Sequence, residues 1–176
     1  MTKNYDIPSI KREIDSKSDT EKIVYLTNIV KELSKESDET IKKSVYEILD
    51  ELTQSKYERL IGHNLIYGIE RLHKITDIVP DLNDEVVQSA YMRLIKNPTP
   101  HFAQKIKIIH NVAKIKPRLS EEIVHQLYEE AIKKEKITDF EILKTVFGIK
   151  PSDDLALALD ELYRSREEKL REIKSL

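Results

Sequence analysis

Apolar residues recur at intervals of three and four along almost the whole chain. Between residues 19 and 33, for example, the apolar positions are Ile23, Val24, Leu26, Ile29, Val30 and Leu33. This spacing is typical of an α-helix with one buried face. No stretch alternates apolar and polar residues with an excess of β-branched side chains, as a strand requires. The pattern therefore predicts about nine helices, no strand and an all-α fold.

Polar capping residues predict where these helices begin. An N-cap side chain accepts a hydrogen bond from a free backbone N–H of the first turn, which favours Ser, Thr, Asp and Asn. The predicted caps are Ser18 or Asp19, Asp38, Asn83 or Asp84, Thr99 with Pro100 as the first helical residue, Ser120 and Ser152. A separate long segment is expected from Tyr57 to Ile78, with Gly62 and Gly68 as weak points within it.

A short phrase recurs four times, in which an aliphatic residue and a turn precede a helix that carries a tyrosine. The phrases run from Leu33-Ser34-Lys35 to Tyr46, from Ile78-Val79-Pro80 to Tyr91, from Ile115-Lys116-Pro117 to Tyr128, and from Ile149-Lys150-Pro151 to Tyr163. Self-similarity on this scale is typical of stacked helical repeats. We expect about four hairpins in a right-handed α-α superhelix, a solenoid, forming a single helical-repeat domain over residues 1–176. Each tyrosine is expected to pack on the inner face of its hairpin, and a row that stacks on a ligand is the alternative.

Two segments resemble the second helix of a HEAT repeat. They run from Asp38 to Leu49, DETIKKSVYEIL, and from Asp84 to Leu94, DEVVQSAYMRL. Where HEAT units commonly carry an arginine, this chain has Lys42, Val87 and Val124. HEAT-like, armadillo-like and irregular helical repeats therefore all fit. The resemblance implies a platform that binds protein or nucleic acid, usually without catalysis.

The residues that could carry chemistry are sparse and scattered. The chain has no cysteine, its three glycines are isolated, and no two histidines have the spacing of metal ligands on a helix. No pattern for an activated nucleophile is present either. The acidic pairs Asp153-Asp154 and Glu167-Glu168 fit a helix N-terminus and exposed ion pairs, respectively. We therefore expect a protein that is not an enzyme and has no metal and no cofactor.

The first residues and the hydropathy of the chain predict where the protein is located in the cell. The first residues lack the apolar stretch of a signal peptide, and no run of about eighteen apolar residues suits a membrane span. We therefore expect a cytoplasmic protein that does not bind membranes.

One segment differs in charge from the rest of the chain. From Val86 to Ser120 there are seven basic residues and no acidic one, although the formal net charge of the whole chain is −2. On a helical projection Lys107, Asn111, Lys114 and Arg118 fall on one side of their helix, opposite its apolar face. The candidate partner-binding residues, hereafter the basic stripe, are Arg93, Lys96, Lys107, Asn111, Lys114 and Arg118.

The basic stripe fits three interpretations. It can dock an acidic protein surface, grip nucleic-acid phosphates, or remain a solvated helix face. At the other end of the sequence, residues 164–176 are dominated by charge and form either a solvated cap or a projecting helix that offers Leu170 and Ile173 to a partner. The sequence favours a scaffold or adaptor for protein–protein interaction, with a nucleic-acid-binding helical repeat as the alternative.

Overall fold

The computed structural model describes residues 5–33 and 39–174, and every regular element in these two ranges is an α-helix. The nine helices are α1 (Ile7–Asp15), α2 (Asp19–Leu33), α3 (Glu39–Gly62), α4 (Ile66–Thr76), α5 (Asp84–Lys96), α6 (Phe102–Ala113), α7 (Glu121–Lys133), α8 (Ile137–Phe147) and α9 (Asp153–Lys174). The predicted all-α class is therefore confirmed. Within the described ranges, no helix is both long and apolar enough to cross a membrane.

The helices group into two compact units, residues 1–86 and residues 87–176. In the first unit α2 packs along α3, α4 packs against both, and α1 contacts α2 and α3. In the second unit α8 packs against α6 and α7, and α9 packs against α7 and α8. The prediction of one helical-repeat domain over residues 1–176 stays a prediction.

The long helix α3 corrects one sequence prediction. A new helix was expected to begin at Tyr57 after a break at Ser55, but α3 continues through both residues to Gly62. The break falls instead between Gly62 and Ile66, where Asn64 has a φ of 58°. Ser55 lies on the exposed side of α3, whereas Thr53 and Tyr57 are both fully buried and keep its inner face continuous.

Some predicted N-caps are confirmed, and one is wrong. The Ser18 hydroxyl and the Glu21 carboxylate form a reciprocal capping box, and Ser120 accepts a hydrogen bond from the N–H of Ile123 at 3.4 Å. The prediction of Thr99 as N-cap and Pro100 as first helical residue is wrong. Helix α6 begins at Phe102, after a turn closed by the Phe102 N–H on the Thr99 carbonyl at 3.0 Å. Asp38 and the turn at Ser34-Lys35 lie outside the described residues.

Candidate interaction surfaces

Three turns that end helices α4, α6 and α8 have the same conformation. Each helix ends in a residue with a left-handed backbone, and an Ile-x-Pro sequence follows. The three are Asp77 with a φ of 55° before Ile78-Val79-Pro80, Lys114 with a φ of 58° before Ile115-Lys116-Pro117, and Gly148 with a φ of 68° before Ile149-Lys150-Pro151. In each the N–H of the left-handed residue donates to the carbonyl four residues earlier, at 2.8 to 3.0 Å. The chain therefore leaves all three helices in the same way.

A buried tyrosine holds each of these turns. The Tyr57 hydroxyl donates to the carbonyl of Ile78, that of Tyr91 to Ile115, and that of Tyr128 to Ile149, each at 2.8 Å. All three tyrosines are 0% exposed. We call these three contacts the tyrosine locks. Each lock joins the first helix of a hairpin to the turn that follows the second helix, so the hairpin is closed at that end.

A polar side chain one helical turn before each tyrosine strengthens the lock. The Gln88 amide donates to the carbonyl of Lys116 and accepts from the N–H of Arg118, both at 2.8 Å. Gln54 makes the same pair of bonds to Val79 and Asp81, at 3.1 and 2.8 Å. In the third lock Nε2 of His125 lies 3.1 Å from the carbonyl of Lys150. The backbone on both sides of Pro80 and Pro117, and the residue before Pro151, are thereby tied to the first helix of the hairpin.

The locks correct the predicted role of the tyrosines. Tyr91 and Tyr128 are buried as expected, but the third buried member is Tyr57, whereas Tyr46 is 47% exposed. Tyr163 of α9 is 39% exposed, and its hydroxyl donates to the Glu141 carboxylate at 3.3 Å. The buried tyrosines have no free ring face for a ligand, because Tyr128, for instance, packs on Phe140 with ring centroids 4.7 Å apart. The tyrosines of the locks are therefore packing and hydrogen-bonding residues.

Burial keeps the lock hydroxyls protonated. Desolvation raises the pKa of Tyr57 to about 12, despite an opposing hydrogen bond with Thr76, and raises the pKa of Tyr128 to about 12. The pKa of Tyr91 is shifted upward by the same cause. All three hydroxyls thus remain hydrogen-bond donors throughout the neutral pH range.

The structure places the basic stripe on two helices and one locked turn. Arg93 and Lys96 lie on α5, and Lys107 and Asn111 lie on α6. Lys114 is the left-handed residue that ends α6, and Arg118 lies in the turn whose backbone Gln88 and Tyr91 hold. All except the half-buried Lys107 are exposed. The tyrosine lock therefore fixes the backbone that carries the end of the basic stripe.

Three lysines of the basic stripe lack a carboxylate partner. In residues 5–33 and 39–174, the side chains of Lys96, Lys107 and Lys114 form no ion pair and no hydrogen bond. The remaining surface of α6 is covered, because seven of its residues are buried: Phe102, Ala103, Ile106, Ile108, Ile109, Val112 and Ala113. Lys107 and Asn111 thus lie on the narrow polar face of an otherwise embedded helix. Lys105 is not part of this face, since its ammonium group donates to the Thr99 hydroxyl at 2.8 Å.

Two histidines contact the backbone of the locked turns. His125 belongs to the third lock, and Nδ1 of His73 lies 3.1 Å from the Ile78 carbonyl. Among the described residues, no group of three or more His, Asp or Glu side chains is arranged to hold a metal ion.

The second half of α9 is exposed. Every described residue from Tyr163 to Lys174 is exposed, including Leu170 at 51% and Ile173 at 67%. Arg171 pairs with Glu167 at 3.8 Å, as the spacing of four predicted. Ser165 and Arg166 also line an open groove of about 490 Å³ with Ile137 and Asp139 at the start of α8. The two predicted roles of residues 164–176, a solvated cap or a helix that contacts a partner, both stay predictions.

Comparison with known proteins identifies no relative of this chain. No protein-family model, no curated protein and no solved structure matches it.

Proposed function

We propose that this protein is a non-catalytic helical scaffold that docks an acidic protein surface on its basic stripe. The observation that supports this proposal best is the set of three lysines, Lys96, Lys107 and Lys114, whose charges no carboxylate in the described residues neutralises. Cations left unpaired on a protein surface steer and orient a partner of opposite charge. The hairpins are proposed to stack as a HEAT-like or armadillo-like α-α solenoid. The expected cytoplasmic location stays a prediction.

The locked turn supports the same proposal. A partner-binding surface gains affinity when its groups are held in place before binding, because less conformational entropy is then lost. The backbone from Ile115 to Arg118 is held by three hydrogen bonds of 2.8 Å from Tyr91 and Gln88. Lys114 immediately precedes this fixed segment, and Arg118 ends it. The backbone positions of both residues are therefore set by the fold rather than by the partner.

A nucleic-acid-binding helical repeat is the second candidate. It is supported by the absence of any acidic residue from Val86 to Ser120, which would let phosphates approach without repulsion. Phosphate contacts from Lys107, Lys114 and Arg118 would not read base sequence. We favour the protein partner because nucleic-acid-binding domains usually carry a clear positive net charge, whereas this chain has a formal net charge of −2.

Site-specific photocrosslinking tests the proposal. A benzophenone amino acid replaces Asn111, at the centre of the basic stripe, and in the control it replaces Glu129, an exposed residue of α7. We expect the probe at position 111 to capture an acidic protein from the source lysate that position 129 does not. The captured protein, once purified, should bind wild type and bind K107E/K114E about tenfold or more weakly.

A second double variant controls for the effect of net charge on binding. K133E/K144E changes the net charge equally, at two exposed lysines of α7 and α8. Binding of the purified partner should be unchanged in this variant. Equal losses in both double variants, or capture of nucleic acid alone at position 111, would refute the proposed protein partner.

A further inference from the structure

The first compact unit contains a small apolar cavity that is open to solvent. It has a volume of about 200 Å³ and lies where α2, α3 and α4 meet. Its apolar wall comes from Ile23 and Val24 of α2, Leu60 of α3, and Leu72 and Ile75 of α4. Val24 is 39% exposed, so this wall is not closed by another part of the described chain.

A glycine shapes one side of the cavity. A Cβ atom on Gly68 would lie 2.8 Å from Cδ2 of Leu60, closer than van der Waals contact allows. The backbone of α4 therefore approaches the Leu60 side chain directly, and no side chain from position 68 occupies the space. The cavity is thus a consequence of how α3 and α4 pack, at a position where most other residues would force Leu60 to move.

Two cations line the same cavity. Lys56 of α3 and Arg71 of α4 contribute to its wall, and neither forms an ion pair with a described residue. On their own helices, no acidic residue lies three or four positions from either of them. Two carboxylates that adjoin cavity-lining residues in the sequence are engaged elsewhere. Asp19, next to Thr20, pairs with Arg59 at 2.7 Å, and Glu70, next to Arg71, pairs with Lys74 at 2.9 Å. The cavity therefore combines an apolar interior with unneutralised positive charge.

We infer that this cavity is a binding site for a small free carboxylate with an apolar body. The apolar body would contact Ile23, Leu60 and Ile75, and the carboxylate would accept hydrogen bonds from Lys56 and Arg71. The volume sets the size of the ligand, since an apolar cavity of about 150 Å³ holds one benzene molecule. Benzoate matches this chemistry and is the probe of choice. The inference does not depend on the function proposed for the basic stripe.

Titration of the ¹⁵N-labelled full chain with benzoate tests the site by NMR. We expect chemical-shift changes to concentrate at the amides of Ile23, Leu60, Gly68 and Ile75, with a Kd in the millimolar range typical of so small a ligand. Benzamide lacks the charge and acetate lacks the apolar body, so each should bind about tenfold or more weakly. This comparison uses only the wild-type protein, so it does not depend on whether a variant folds.

Charge variants test the two cations. K56Q/R71Q should weaken benzoate binding about tenfold or more. K31Q/K43Q, which changes the net charge equally at exposed positions of α2 and α3, should leave it unchanged. The absence of benzoate-induced chemical-shift changes at the cavity amides would overturn the site. Equal benzoate affinities of K56Q/R71Q and K31Q/K43Q would overturn it as well. A tripeptide ending in phenylalanine that binds at least as tightly as benzoate would overturn its assignment to a free small molecule.

Discussion

The Tyr91 hydroxyl donates a 2.8 Å hydrogen bond to the carbonyl of Ile115, across a hairpin of 24 residues. The same bond joins Tyr57 to Ile78 and Tyr128 to Ile149, each across 21 residues. A contact that recurs in three hairpins, on three turns of the same conformation, is a repeating element of this fold. It also anchors the turn that carries part of the basic stripe.

Removing a lock hydroxyl should destabilise the protein by an amount that depends on the other donors present. Tyr91→Phe leaves the Ile115 carbonyl without its phenol donor, and we expect a loss of about 1–3 kcal/mol of unfolding free energy. Tyr57→Phe should cost less, because Nδ1 of His73 lies 3.1 Å from the same Ile78 carbonyl and can donate in its place. Urea unfolding followed by circular dichroism measures both. A larger loss of unfolding free energy in Tyr57→Phe than in Tyr91→Phe would contradict the role assigned to His73.

The amide of Gln88 should control the mobility of the turn. Gln88→Ala removes the acceptor of the Arg118 N–H, so hydrogen exchange at that amide should accelerate about tenfold or more. Gln88→Glu keeps an acceptor for the Arg118 N–H but places a second acceptor oxygen against the Lys116 carbonyl, so the Arg118 amide should be better protected than in Gln88→Ala. Gln54→Ala should have the matching effect at Asp81. Unchanged exchange at Arg118 in Gln88→Ala would show that the amide does not hold the turn.

The lock tyrosines predict a loss of stability at alkaline pH. Their pKa values are raised in the folded state, to about 12 for Tyr57 and Tyr128, whereas an unfolded tyrosine has a pKa of about 10. Their contribution is therefore fully present below about pH 10 and is lost as the pH rises through about 12. Unfolding free energies measured across this range should decline less steeply in Tyr128→Phe than in wild type. Identical slopes of unfolding free energy against pH in the two proteins would contradict the raised pKa of Tyr128 in the folded state.

Lys114 allows binding to be separated from stability. A left-handed backbone costs a residue other than glycine roughly 1–2 kcal/mol, and glycine recovers most of this despite its greater freedom in the unfolded chain. Lys114→Gly should therefore raise the unfolding free energy by up to about 1 kcal/mol while removing one cation of the basic stripe. Lys114→Gln removes the same charge and keeps the strain. Both variants should bind the partner more weakly, although only the first is stabilised.

Local signals account for what the sequence predicted well. The capping box of Ser18 and Glu21 spans four residues, and the Ser120 cap spans the same distance, so both can be recognised without knowing the fold. The Ile-x-Pro turns are visible for the same reason. In contrast, Thr53 is polar and fully buried, and such a residue reads as a break in an apolar stripe until its surroundings are known.

Contacts between distant residues account for what the sequence missed. Each tyrosine was paired with the turn before its helix, because that turn is nearer in sequence, whereas its hydroxyl bonds to the turn that follows the hairpin. A helical projection can place Lys107 on a polar face. It cannot reveal that no described carboxylate reaches Lys107, nor that Lys114 ends its helix in a left-handed conformation. Both features depend on tertiary packing.

The proposed docking of an acidic protein on the basic stripe is tested most directly by fluorescence anisotropy. A labelled oligo-glutamate peptide and labelled single-stranded and duplex oligonucleotides are titrated with wild type, K107E/K114E and K133E/K144E, at low and at physiological salt. We predict that the acidic peptide binds wild type and K133E/K144E alike and binds K107E/K114E about tenfold or more weakly. An acidic peptide that binds all three proteins equally would contradict the account, as would oligonucleotides that bind more tightly than the peptide and lose that binding in K107E/K114E.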